Sequence, residues 1–357
     1  MPAELAWLSK GKPMVHNGTR KALIVLDHLF TEELAELAGG PLVANGWQVD
    51  RVNWDVASIE EQRAQVRRLE NEGPGDSDTI AALEAPHDYE VIITQFAPIS
   101  ARAIANGTKL RLIAINRAGL QNLDTASASE HGVEIFSVPG RNTNAVAEHT
   151  IGLMLAHLRF IAVAHAALKH GEWMEDFPAP GPRELAEVRV GIVGYGHIGR
   201  RVHELLRPFK PEVEIYDPFV TDGPADAELV ALDELLQNCD VVTIHVPLND
   251  RTRNLIGERE LALMAPTAII VNTARAEIVD QAALRAAVTA GTIAGAALDV
   301  FDSEPLAPAD PFVVSDRTTI TPHLAGTTRQ AFRQGPIWIG EKLRSLGQND
   351  APSLDEG

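Results

Sequence analysis

The segment Val188–Asp217, VRVGIVGYGHIGRRVHELLRPFKPEVEIYD, constrains this chain more than any other. Val190 to Val193 is an apolar run that reads as a buried parallel strand. Gly194, Gly196 and Gly199 then fill a G-x-G-x-x-G pattern, and Ile198 to Arg207 reads as the helix it opens. A second run, Val213 to Tyr216, ends on Asp217, which completes the layout of a dinucleotide-binding strand–helix–strand unit. Each glycine has a separate task. Gly194 permits the tight turn, Gly196 lets backbone approach a pyrophosphate, and Gly199 lets the helix pack on the strand. The helix N-terminus, with His197 and Ile198, offers free N–H groups and the positive end of a dipole. Asp217 lies 18 residues past Gly199, where a carboxylate can accept from an adenosine ribose. A free carboxylate there repels a 2′-phosphate, so NAD is expected rather than NADP.

The rest of the chain is that of an ordinary folded protein, and at 357 residues it calls for two domains, or one large one with an insertion. A net charge of −18 argues against broad surfaces for nucleic acid or anionic membrane. A single cysteine, Cys239, excludes a disulfide framework and reads as a small packed side chain at a strand entry. The N-terminal MPAELAWLSKGKP carries an acid at Glu4 and no long apolar core, so no signal peptide is expected. No apolar run approaches a membrane span in length, and the cytoplasm is the expected location.

Roughly half the chain precedes the fingerprint, so a separate domain is built first. Ala22–Leu26, Val91–Thr94, Leu110–Ile115 and Glu134–Phe136 read as strands there, with helices over Thr31–Leu37, Ile59–Leu69 and Thr125–His131. Pro139 to Thr143 is a natural linker. Beyond it, Ala145–Leu168 is apolar and free of proline, which predicts one long helix. After the fingerprint the alternation resumes. Strands are expected over Asp240–Val246, Ala268–Thr273, Gly295–Val300 and Thr318–Thr321, and helices over Arg259–Met264 and Gln281–Ala290. A last helix covers Thr327–Leu346, and the tail from Gly347 is expected to fray.

Open α/β sheets bind ligands beyond the carboxyl ends of their strands. This sequence places four polar residues at such ends: His245, Arg275, Asp299 (continuing to Glu304) and His323. The blocks that carry them are His245-Val-Pro-Leu248, Asn272-Thr-Ala-Arg275, Gly295-Ala-Ala-Leu-Asp-Val-Phe301, Glu304-Pro305 and Thr321-Pro-His-Leu-Ala-Gly326. Upstream stand Asn116-Arg-Ala-Gly119 and Pro139 through Ala147-Glu-His-Thr150. Together with the fingerprint, in this order over about residues 90 to 345, they resemble the D-isomer-specific 2-hydroxyacid dehydrogenase family.

The resemblance implies a fold and a set of roles. The fold is α/β with two doubly wound parallel-sheet domains: a Rossmann NAD-binding domain, residues 142–326, inserted in a flavodoxin-like substrate domain, residues 1–141 plus 327–357. Both linkers then act as a hinge for cleft closure. His323 is the acid/base, since histidine titrates near working pH. Glu304 pairs with its imidazolium and raises its pKa. Arg275 holds the substrate carboxylate and polarises the carbonyl. Asp299 accepts from the nicotinamide carboxamide or supports the site. Thr273 and Ala274 line the nicotinamide side, and His245 with Val246 and Pro247 walls the adenine pocket. Arg275, His323 and Gly326 complete the cofactor surroundings. Phe96, Ala118, Gly119 and Leu120 join Arg275 and His323 around the substrate, with backbone N–H groups at Gly119 and Leu120 on its carboxylate.

The expected activity is reversible oxidation of a (R)-2-hydroxy acid to its 2-oxo acid, with a small-molecule acid and NAD as the ligands. A homodimer through Ala145–Leu168 is expected from its surplus of apolar faces. No metal site is expected, because His149, His157, His165 and His170 do not repeat on one helix face. Trp173 reads as a packing anchor. The loop after Arg117-Ala-Gly119 is two residues shorter than the family's common form, so substrate preference does not carry over from other members. Glu304 stands where the formate-oxidising branch has glutamine, and no appended regulatory domain is expected after the last helix. The alternatives are a phosphite-type dehydrogenase of the same family and a non-catalytic, NAD(H)-sensing dimer resembling the related corepressors.

Overall fold

The computed structural model describes residues 19–348. Its contacts divide the chain into two compact units, one ending at Arg141 and resuming at Phe332, the other spanning Asn142–Ala331.

The first unit is a five-stranded sheet. In chain order it runs β1 (Lys21–Leu26), α1 (Glu32–Ala44), β2 (Gln48–Asn53), α2 (Ile59–Glu72), β3 (Val91–Thr94), α3 (Ala101–Ala105), β4 (Leu112–Ile115), α4 (Thr125–Glu130) and β5 (Glu134–Ser137). The strands are all parallel, in the order β2-β1-β3-β4-β5. β3 and β4 are buried at every residue, as strands covered on both faces must be. β2 was not apparent in the sequence. It is the sheet's edge strand, QVDRVN, and with one neighbour and partial cover it carries little apolar signal.

The second unit opens with α5 (Thr143–Leu158) and α6 (Ile161–Lys169). It continues through β6 (Arg189–Val193), α7 (His197–Leu206), β7 (Glu212–Tyr216), β8 (Glu228–Leu229), α8 (Leu232–Asn238) and β9 (Val241–Ile244). Then follow α9 (Glu258–Leu263), β10 (Ile269–Asn272), α10 (Gln281–Ala290), β11 (Gly295–Leu298), α11 (Pro311–Val314) and β12 (Thr318–Ile320). All seven strands are parallel, in the order β12-β11-β10-β9-β6-β7-β8. The two parallel-sheet α/β units are the expected fold class. The chain enters this sheet on the interior strand β6, winds outward to β8, and returns on β6's other side with β9. That reversal puts a topological switch point at the carboxyl ends of β6 and β9.

Three expectations are corrected. The single helix over Ala145–Leu168 is two helices that meet at 65°, with Phe160 in the left-handed region at φ 53°. No proline causes the break. α5 buries eight residues in the sheet's core, whereas α6 buries none, so only the first half is held to the sheet. Together the pair is apolar enough to imitate a membrane span, but among the described residues no single helix is long and apolar enough to cross one. Trp173 does not anchor packing either; it is 78% exposed. The final helix, α12 (Arg329–Gln348), includes Gly347, so the fraying expected from that residue does not begin there; residues beyond Gln348 lie outside those described.

Candidate active site

The glycines of the fingerprint are each required by the backbone. Gly194 has φ +96°, and a Cβ there would sit 2.7–2.8 Å from Val246 and from the His245 carbonyl carbon. A Cβ on Gly199 would fall 2.0 Å from the Gly194 carbonyl oxygen, so the first turn of α7 rests directly on the turn after β6. Gly196, the N-cap of α7, faces open space, which leaves the helix N-terminus approachable. His197 is exposed beside it. Asp217, just past β7, accepts from the Tyr195 N–H (2.7 Å) and the Phe219 N–H (2.9 Å), which ties the glycine turn to the second strand.

His245 closes the other wall of the switch point, its N–H donating to the Val193 carbonyl (2.7 Å). Its Nε2 meets Thr243 Oγ1 at 2.9 Å, while Nδ1 is buried without a partner. Burial pushes its pKa down to about 3, so it is neutral at ordinary pH. A glycine cradle, an open helix N-terminus and an orphaned ring nitrogen all fit a dinucleotide.

The candidate chemistry lies along the same sheet edge, on three adjacent strands. Arg275 follows β10. Asn272, fully buried, fixes this turn from both sides: its Oδ1 accepts from Ala274 N–H (3.0 Å) and its Nδ2 donates to the Arg275 carbonyl (2.9 Å). Thr273 Oγ1 is bonded to Thr150 Oγ1 of α5 at 2.9 Å. The Arg275 guanidinium donates to the Ala274 carbonyl (2.7 Å) and, among the described residues, is paired with no carboxylate.

His323 follows β12. Its Nδ1 lies 3.1 and 3.0 Å from the two oxygens of Glu304, which also accepts from the Phe301 N–H (3.2 Å). The hydrogen bond from Glu304 is the main reason the His323 pKa is raised, against partial burial and the nearby positive charge of Arg275. Burial pushes Glu304 upward, but the His323 contact outweighs it and holds the carboxyl below its ordinary range. With Nδ1 engaged, Nε2 is the atom left to meet a ligand.

His323 itself has φ +56°, a left-handed backbone that costs a non-glycine residue about 1–2 kcal/mol. Asp299, at the end of β11 and fully buried, offsets that cost: Oδ1 accepts from Leu324 N–H and Oδ2 from Ala325 N–H, both at 2.8 Å. Thr321 Oγ1 also donates to Oδ1 at 2.5 Å. Burial pushes the Asp299 pKa up, but the His149 ring, then Thr321 and the two backbone N–H groups, outweigh it and keep the pKa low. Gly326 ends the loop, where a Cβ would meet Asn142 Nδ2 at 2.9 Å.

The structure thus brings Arg275, Asp299, Glu304 and His323 to one sheet edge in the second unit. Phe96 and the turn Ala118–Leu120 lie in the first unit, at the carboxyl ends of its neighbouring strands β3 and β4, with the Arg117 guanidinium 5.0 Å from the Phe96 ring centroid. Sequence reasoning passed over Asn272 and His149. A buried asparagine closing a strand is a readable signal for the first. Cys239 is buried, and burial beside Glu214 raises its pKa, as befits a packed thiol. Among the described residues no group of three or more potential metal ligands occurs.

Residues 151–325 match the model for the NAD-binding domain of D-isomer specific 2-hydroxyacid dehydrogenases. A hydroxypyruvate reductase of Thermotoga maritima is 35% identical over 266 residues, 73% of this chain and 86% of that protein. A D-3-phosphoglycerate dehydrogenase of Archaeoglobus fulgidus is 37% identical over 268 residues, 74% of this chain. This chain spans only about half (50%) of that longer relative. Among solved structures, an NAD-dependent formate dehydrogenase of Staphylococcus aureus in complex with NAD is 27% identical, with a TM-score of 0.69 over 92% of this chain and 95% of that one. A dinucleotide-binding α/β protein is therefore the class. The chain belongs to the D-isomer-specific 2-hydroxyacid dehydrogenase family, and NAD is its cofactor.

Proposed function

We propose that this protein interconverts a (R)-2-hydroxy acid and its 2-oxo acid, with His323 as the acid/base. The observation that carries the reading is the His323–Glu304 pair beside the unpaired charge of Arg275. Bound NADH supplies the hydride for reduction. Arg275 binds the substrate carboxylate and stabilises negative charge as it grows on the carbonyl oxygen. The proton for that oxygen comes from His323 Nε2, while Glu304 on Nδ1 keeps the ring oriented and the imidazolium stabilised. In oxidation the same nitrogen takes the hydroxyl proton. Gly194, Gly196, His197, Ile198 and Gly199 hold the pyrophosphate, and Asp217 the adenosine ribose.

The test is NADH oxidation against glyoxylate, hydroxypyruvate, pyruvate and branched, aromatic, dicarboxylic and sugar-derived 2-oxo acids. Turnover on one of them supports the reading. NADH binding without turnover on any points instead to a sensor or to a donor such as phosphite.

Asp217 sets the cofactor preference. Juxtaposed like charges cost several kcal/mol, so NADH should be preferred to NADPH by about a hundredfold in kcat/KM. In Asp217→Ala that ratio should fall below about ten. Equal use of both cofactors by the wild type would refute the assignment.

We also propose a homodimer through α6. Seven of its nine residues are apolar yet none is buried, and Ile161 and Leu168 are each 56% exposed. Light scattering should return twice the chain mass of 38.6 kDa, and a monomer mass would remove the proposal.

A further inference from the structure

His149 lies on α5, 172 positions from Thr321 in the acid/base loop. Its Nε2 is 2.9 Å from Thr321 Oγ1 and 3.5 Å from Asp299 Oδ1. A count of protons fixes the direction of these bonds. Thr321 has one hydroxyl proton, and it goes to Asp299 Oδ1. The Thr321 oxygen must therefore accept from His149, so His149 carries its proton on Nε2. The chain is continuous from α5 to the acid/base loop: His149 donates to Thr321, Thr321 donates to Asp299, and Asp299 receives the N–H groups of Leu324 and Ala325. Those are the two residues that follow His323, and they hold it in its left-handed conformation against Glu304.

We propose that His149 is a positioning residue which, through Thr321 and Asp299, holds His323 in register with Glu304. It touches neither Glu304 nor His323; it acts by completing the donors around a buried carboxylate. Without its N–H, the Thr321 oxygen is left with an unused lone pair and turns its own donor away from Asp299 less reluctantly. The loop then loses one of the contacts that offset its strained backbone. This inference rests on His323 being the acid/base, so its test needs a readout that does not depend on turnover.

The experiment compares wild type with His149→Phe, His149→Gln and Thr321→Val. Phenylalanine keeps the ring but cannot donate; glutamine places an N–H where Nε2 stood. Histidine titration by NMR, with His323 assigned by its disappearance in His323→Gln, reads the pairing directly. The charged groups acting on His323 are Glu304, Arg275 and Asp299. The His323 pKa should be above the ordinary value in wild type and His149→Gln, and shifted down in His149→Phe and Thr321→Val. With the best 2-oxo acid, His149→Phe should lower kcat by about 10–100-fold with KM little changed, as misplacement of a reacting group does. The alkaline limb of its kcat profile for reduction should move to lower pH, and NADH binding should be retained. A His323 titration in His149→Phe that matches wild type overturns the proposal. If no 2-oxo acid turns over but the titration still moves, the positioning role stands and the reading of the reaction falls.

Discussion

His323→Ala should lower kcat for the best 2-oxo acid by about 10²–10⁴-fold, the usual contribution of a positioned general acid. NADH affinity should change little, because the glycine turn and α7 are untouched. Glu304→Gln gives the companion result through pH. Glu304 raises the His323 pKa, so reduction, which needs the protonated ring, is retained at low pH and lost as pH rises through that raised value. Removing the carboxylate moves this alkaline limb to lower pH, and oxidation, which needs the neutral ring, becomes competent at lower pH. Steady-state pH profiles in both directions check the signs. Full activity in His323→Ala, or an unmoved limb in Glu304→Gln, would put the acid/base elsewhere.

The second large effect is on stability in mild acid. His245 and His157 are buried with pKa values pushed down to about 3 and about 4, the latter by burial and then by Arg183. Unfolded, both titrate near the ordinary value of about 6.5. Between those limits the unfolded chain binds the extra protons, so stability is fully present above about pH 6.5 and falls as pH drops toward the folded values. Each histidine contributes a slope of about 1.4 kcal/mol per pH unit. Together they should cost the second unit roughly 3 kcal/mol between pH 6.5 and 5, since the slope reaches its full value only below the unfolded pKa. Urea midpoints over this range should therefore fall steeply in wild type and less steeply in a His157→Gln/His245→Gln double variant. Equal slopes would show that neither histidine is kept neutral by folding.

What could be read from the sequence follows from how local each constraint is. The fingerprint was legible because each of its parts acts on a near neighbour: Gly199 touches Gly194, and Asp217 bonds Tyr195. The buried strands β3, β4, β9 and β10 were legible because cover on both faces leaves an unbroken apolar run. β8, like β2, is an edge strand, and it was missed for the same reason. The bend at Phe160 is set by which half of the apolar stretch the sheet covers, which no local pattern records. His149 was set aside as one of four scattered helix histidines, since its partner Thr321 is 172 positions away. The set Arg275, Glu304 and His323 is expected from the order of its motif blocks, whereas the loop hydrogen bonds at Asn272 and Asp299 only became visible in three dimensions.

The contact between Gly199 and the Gly194 carbonyl has a consequence for the thermodynamics of cofactor binding. Turn and helix are locked to each other at a separation that no side chain could enter. The N–H groups at the start of α7 are therefore already aimed, and an arriving pyrophosphate meets them without first ordering a loop. Little of its binding energy is spent on conformational entropy at that end of the cofactor.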